Sequence, residues 1–194
     1  MPFEAKTYGG YGRDSPEALN NSQIIYNILG AQGWTLNAVC GLLGNIGAES
    51  GYNPFRWQND EVGKSDGYRW RNKGYGFVQF TPASKYISDS RAMSLTGYAP
   101  NFLDKEGNVN DGIAQALYIH KYADYYKTGK YNLSYPEFKK STETPSYLAS
   151  AWLYNYERPG DPAATEKTRQ DIAEFWYKKL KDEPEPPPEP PPEP

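Results

Sequence analysis

The sequence predicts a predominantly helical α+β domain with one small β-hairpin. Three observations predict it: four helix starts punctuated alike, apolar residues at helical spacing downstream of them, and one glycine-rich stretch that breaks the pattern. At 194 residues the chain suits a single compact domain with a substantial core.

The four starts are Ser15-Pro16, Thr81-Pro82, Thr144-Pro145 and Asp161-Pro162. Each sets a capping oxygen before a proline, whose missing N–H costs nothing at the first helical position. After Ser15, the residues Ile24, Ile25, Ile28 and Leu29 fit one helix. After Thr144, Leu148, Ala151 and Trp152 fit another, and after Asp161 the stripe is Ile172, Phe175, Trp176 and Leu180. Thr35 can cap a helix with the stripe Val39, Leu42, Leu43 and Ile46, and Ile113, Leu117 and Tyr118 predict one over about 110–126. Gly74, Gly76 and alternating aromatics predict a small hairpin or ribbon between about residues 66 and 80.

Residues 1–14 read as a flexible N-terminus and 15–180 as the folded domain. From Lys181 the chain runs KDEPEPPPEPPPEP, with nothing apolar to bury. Fixed proline φ angles and repelling glutamates make 181–194 a stiff polyproline II linker, expected to lead to a further module. The net charge of -3 comes largely from this tail, where Asp182, Glu183, Glu185, Glu189 and Glu193 face one base, Lys181. The remainder is near neutral and lacks the basic field of a nucleic-acid binder. One cysteine, Cys40, excludes an internal disulfide framework. No apolar run approaches the roughly 18 residues of a membrane span, and MPFEAKTYGGYGRD lacks the apolar segment of a signal peptide.

The chain holds 18 tyrosines, 7 phenylalanines and 5 tryptophans. Rings with a polar edge suit a groove for sugars, and they equally suit an aromatic core.

Glu49 is the first candidate for chemistry. It continues the Val39–Leu42–Leu43–Ile46 stripe by one more step, just before Ser50-Gly51 and Asn53-Pro54 break the helix. A carboxyl group at the end of a buried face is expensive to ionise, and a general acid has to arrive protonated. Gly41, Gly44 and Gly47 lie along another face and would admit a neighbouring backbone. Asp60, Glu61 and Asp66 sit in the polar loop that follows and are candidate second carboxylates. Gln79 can donate to and accept from a sugar or a water. The segment Tyr154-Asn155-Tyr156-Glu157-Arg158-Pro159 could orient a carboxylate or a substrate amide, or be a helix end with a Glu157–Arg158 pair. A cysteine peptidase would need Cys40 and His120, but Cys40 falls mid-helix, away from the helix N-terminus that activates such thiols. One His and one Cys make no metal site.

Gly33-Trp34-Thr35, Cys40 to Asn45, Glu49-Ser50, Asn53-Pro54, Trp57-Gln58, Gly76 to Pro82 and Tyr156 to Pro159 resemble, in order and spacing, the phage tail lysozyme family, from about Ser22 to Leu180. More distantly, Glu49-Ser50, Gly76 to Gln79 and Tyr154-Asn155 resemble the motifs of soluble lytic transglycosylases and goose-type lysozymes. The resemblance implies a lysozyme-like fold with a cleft between lobes. It implies cleavage of the β-1,4 bond between N-acetylmuramic acid and N-acetylglucosamine in peptidoglycan, with Glu49 as acid and no cofactor. It suggests that Gln79 lines the cleft and that one of Tyr154 or Tyr156 lies near Glu49; Trp57 and Tyr75 are further substrate-binding candidates. Phe80 stands where the resemblance leads one to expect a tryptophan. A second carboxylate would give an inverted or a retained product, and its absence an anhydro sugar as in lytic transglycosylases. A wall-binding module without catalysis is the rival reading. The expected setting is a phage tail component or a released endolysin.

Overall fold

In a computed structural model of the chain, the described residues are 2–61, 72–87, 91, 94–95 and 109–184. They are predominantly helical: α1 (Pro16–Ala31), α2 (Leu36–Glu49), α3 (Ser84–Ile87), α4 (Val109–Tyr122), α5 (Tyr135–Lys140), α6 (Pro145–Trp152) and α7 (Ala163–Leu180). A short 3-10 turn covers Gln58–Asp60, and a π-helical turn, Leu153–Glu157, extends α6. No described helix is long and apolar enough to cross a membrane.

Three of the four predicted caps form. Ser15 Oγ accepts from Ala18 N at 3.1 Å, Thr144 Oγ1 from Tyr147 N at 3.2 Å, and Asp161 Oδ1 from Ala164 N at 3.4 Å. Thr35 caps α2 as expected, accepting from Ala38 N at 3.1 Å. Thr81 does not cap: its hydroxyl donates to the Gln79 carbonyl at 2.7 Å, and α3 starts only at Ser84. Helix α5 was not anticipated, although Ser134 and Glu137 form a complete capping box around it.

The expected β-hairpin is not seen among the described residues. Among the described residues there is no strand; Tyr75 makes only isolated antiparallel bridges, to Trp57 and to Phe80. Residues 66–71 lie outside the described set. Over 72–80 the backbone curls at Gly76 (φ 82) and Gln79 (φ 48), so the chain folds back within five residues instead of extending.

The chain divides into two compact units, Met1–Ile24 with Ile46–Tyr122, and Ile25–Asn45 with Ala123–Pro194. In the second, Val39, Cys40, Leu42 and Leu43 of α2 are fully buried, as are Leu148, Trp152 and Leu180. Its aromatic residues form the core: Phe138 lies 5.8 Å from Trp34 and 5.5 Å from Trp152, ring to ring. The small residues act as anticipated. A Cβ on Gly44 would fall 2.4 Å from the Arg169 carbonyl oxygen of α7, and one on Gly41 would fall 2.7 Å from Leu148 Cβ of α6. Burial pushes the Cys40 thiol well up, away from nucleophilic reactivity.

In the first unit, Tyr52, Phe55, Phe77, Val78 and Tyr86 are fully buried. The N-terminal segment does not hang loose. Phe3 is buried against Phe77, with ring centroids 5.4 Å apart, and Asn21 bonds both the N–H and the carbonyl of Glu4.

Candidate active site

Glu49 is the last residue of α2 and is half-buried, one turn beyond the fully buried Ile46. The turn after it is tightly specified. Ser50 is buried and donates its hydroxyl to the Ile46 carbonyl at 3.1 Å. Gly51 (φ 56) and Tyr52 (φ 61) then take left-handed backbone, and Asn53 Oδ1 accepts from Phe55 N at 3.0 Å. A left-handed tyrosine is uncommon, and here its ring is 1% exposed, so burial holds the conformation.

The segment after Glu49 is stitched to the glycine-rich loop. Gln58 N donates to Gly74 O at 2.9 Å, and Gly74 N returns to Gln58 Oε1 at 2.9 Å. Gly76 N and Gln79 Nε2 both donate to the Arg56 carbonyl, at 2.9 and 3.0 Å. Gln79 Nε2 also reaches Gly76 O at 3.0 Å. The amide N–H groups of Gln79 therefore hold the loop, and Oε1 is the atom of this side chain with no donor among the described residues. A Cβ on Gly74 would fall 2.9 Å from that oxygen, so a larger residue there would have to displace the Gln79 amide.

Beneath the loop lies a buried polar network that sequence reasoning missed. Asp111, in the first turn of α4, is 1% exposed. Its Oδ2 accepts from the Tyr75 hydroxyl at 2.5 Å and from Gln115 Nε2 at 3.0 Å, and its Oδ1 accepts from the Tyr86 hydroxyl at 2.7 Å. Gln115 Nε2 also donates to Pro54 O at 2.8 Å, while its Oε1 accepts from Phe77 N at 2.8 Å. This one glutamine thus ties the segment after Glu49 to the loop that carries Gln79. The available signal was an Asp and a Gln four residues apart on α4.

The two candidate carboxylates among the described residues are engaged. Asp60 Oδ1 pairs with Arg56 Nε at 2.8 Å and accepts from Gly9 N at 2.7 Å. Glu61 lies 3.6 Å from Lys73 Nζ, with both side chains 30% exposed. Asp66 lies outside the described residues.

Trp57 and Tyr75, the further substrate-binding candidates, are each 2% exposed, and their rings lie 4.7 Å apart. Phe80 is likewise packed, 4.8 Å from Tyr86 and 5.6 Å from Tyr118. Among the described aromatic residues, those standing well out are Tyr8 and Tyr126. Aromatic richness here chiefly makes cores.

In the second unit, the residues of the Tyr154-Asn155-Tyr156 motif diverge because a π-helical turn carries them. Buried Asn155 donates to the Tyr125 hydroxyl and to the Tyr131 carbonyl, each at 3.0 Å, and accepts from Thr128. Tyr156 packs on Trp152 with centroids 4.5 Å apart. Glu157 does not pair with Arg158 as considered above. It accepts from Trp152 Nε1 at 3.0 Å, whereas Arg158 pairs with Asp124 at 3.1 Å. Tyr154 and Tyr131 donate to Glu166, each at 3.0 Å.

Burial pushes the Glu166 carboxyl up, but hydrogen bonds from Ser150, Tyr131 and Tyr154 and the charge of Lys130 outweigh it and hold it below its ordinary value. A carboxyl held lower in the folded state contributes stability above its unfolded pKa, about 4.3, and loses it as pH falls through the folded value. Glu166→Gln should therefore lower the melting temperature near neutral pH and flatten its fall below about pH 4. Thermal unfolding of both proteins across that range checks this.

A model of the phage tail lysozyme family matches residues 20–180. The chain belongs to the phage tail lysozyme family. Among curated relatives, Morphogenesis protein 1 of Bacillus phage B103 is 37% identical over 160 residues, which cover 82% of this chain. The aligned region is 39% of that relative, so the chain spans about two fifths of its length. In this chain the matched span contains Glu49, both stitched segments and the Asp111 network. The N-terminal residues against the first unit lie outside it.

Proposed function

We propose that this phage tail lysozyme degrades peptidoglycan by cleaving the β-1,4 bond between N-acetylmuramic acid and N-acetylglucosamine, on a lysozyme-like fold. Glu49 is the general acid. It gives its proton to the glycosidic oxygen as the bond to the sugar breaks and oxocarbenium character develops, and water completes the hydrolysis. The observation that carries this reading is the placement of Glu49. It is a half-buried carboxyl group at the end of a helix, and the segment that follows its turn, Arg56 to Gln58, is hydrogen-bonded to the Gln79 loop.

Gln79 would accept from the glycan through Oε1. Asp60 is occupied with Arg56 and Gly9, Glu61 lies beside Lys73, and Asp60, Glu61 and Asp66 are the candidates for activating water. Tyr154 and Tyr156 are both candidates for a substrate contact. The phage setting rests on the family and on the B103 relative. The Pro/Glu run from Lys181 would act as a spacer to a further module, raising the local concentration of the enzyme at the wall.

Incubation of the chain with purified peptidoglycan separates an enzyme from a wall-binding module. The expected result is soluble fragments that accumulate with time and bear new sugar reducing ends. Sedimentation of the chain with an intact wall and no release would leave only binding.

A further inference from the structure

The segment preceding α1 is built onto the turn that follows Glu49. Tyr11 N donates to Gly51 O at 2.7 Å. Gly10 crosses Gly51 backbone to backbone: a Cβ on Gly10 would fall 2.5 Å from Ser50 O and 2.6 Å from Gly51 Cα. Asn53 clasps the same segment through both ends of its amide, with Nδ2 donating to Lys6 O and Gly9 O, each at 2.8 Å, and Oδ1 accepting from Lys6 N at 3.3 Å. Asp60 holds Gly9 N from the next turn. Burial, with Glu4 and Glu17 nearby, pushes the Tyr11 hydroxyl up to about 12, as expected of a packed ring. By contrast, a Cβ on Gly12 would meet nothing within 4 Å.

We infer that residues 3–11 form a strap that positions Glu49, with Gly10 and Asn53 as its positioning residues. The physical ground is that residues 50–53 include two left-handed positions whose alternatives are numerous in a loose chain. Strap bonds to Gly51 and Asn53 remove those alternatives and fix the direction in which α2 delivers its last side chain. The strap lies outside residues 20–180, which the family model matches, while Asn53, which clasps it, lies inside them. The inference rests on the reading of Glu49 as the acid.

The test compares Gly10→Ala with Gly12→Ala in the full chain, reading kcat and KM on soluble glycan fragments, the pH profile of kcat, and hydrogen exchange at the Tyr11 amide. Gly10→Ala should lower kcat by about ten- to a hundredfold with little change in KM, since misplacement by about 1 Å has effects of that size. It should also shift the pH profile and speed exchange at Tyr11, whereas Gly12→Ala should match wild type in all four. If Gly10→Ala does not fold, Asn53→Asp carries the test, because it removes both donors to the strap without a backbone clash. Equal kcat for Gly10→Ala (or Asn53→Asp) and wild type would overturn the inference. So would slow exchange at Tyr11 in that variant, which reads the strap even in a chain that cuts nothing. An inactive wild type would sink the reading of Glu49 instead, so the two failures are distinct.

Discussion

Glu49→Gln is expected to lower the rate of glycan cleavage by about 10²- to 10⁴-fold, the usual contribution of a positioned general acid. Glutamine keeps the size of the side chain and its ability to hydrogen-bond, but has no proton to give to a leaving oxygen. Because Glu49 is half-buried at the helix end and not part of the fully buried stripe, the exchange leaves the core untouched. The loss should therefore appear in kcat, with KM and wall binding nearly unchanged, as for an interaction made only in the transition state. Initial rates of reducing-end release at saturating substrate, with circular dichroism as the check on folding, measure it. A variant within a few-fold of wild type would remove Glu49 from the mechanism.

Asp111→Ala is expected to have the largest effect on stability, a loss of roughly 3–5 kcal/mol. The substitution removes the carboxylate that accepts from the hydroxyls of Tyr75 and Tyr86 and from Gln115 Nε2 in the buried core, leaving Tyr86 the backbone carbonyl of residue 111 at 3.4 Å. Each stranded donor costs about 1–3 kcal/mol, and the methyl group gained returns little. Urea unfolding should show a lower midpoint with an unchanged slope. Activity should fall as well, because Gln115 bonds both Pro54, just after the Glu49 turn, and Phe77, beside Gln79. A loss below about 1 kcal/mol would mean that the network is not an energetic anchor.

Sequence carried the helices because their signals are local. Ser15, Thr35, Thr144 and Asp161 each bond a backbone N–H three residues on, and the α2 stripe reads directly as burial. The three-residue spacing of Gly41 and Gly44 foretold close packing, because only the absence of a Cβ permits it.

What a local pattern does not display is tertiary context. Tyr75 and Trp57 look like sugar-stacking residues until Asp111, 36 residues beyond Tyr75, takes the Tyr75 hydroxyl into the core. An aromatic ring suits groove and core equally, and only tertiary contacts decide. Thr81-Pro82 matched the capping pattern, but the left-handed turn at Gln79 brings a carbonyl within reach of the Thr81 hydroxyl. Residues 1–14 read as a flexible N-terminus because they show no apolar period. Their attachment runs mostly through backbone groups, which sequence does not display.

The most direct test of the central claim is mass spectrometry of the fragments released from purified peptidoglycan by wild type and by Glu49→Gln. The account predicts disaccharide-peptide fragments ending in reducing N-acetylmuramic acid from wild type and their loss in the variant. Intact glycan strands from wild type, or the same fragments from both proteins, would contradict it.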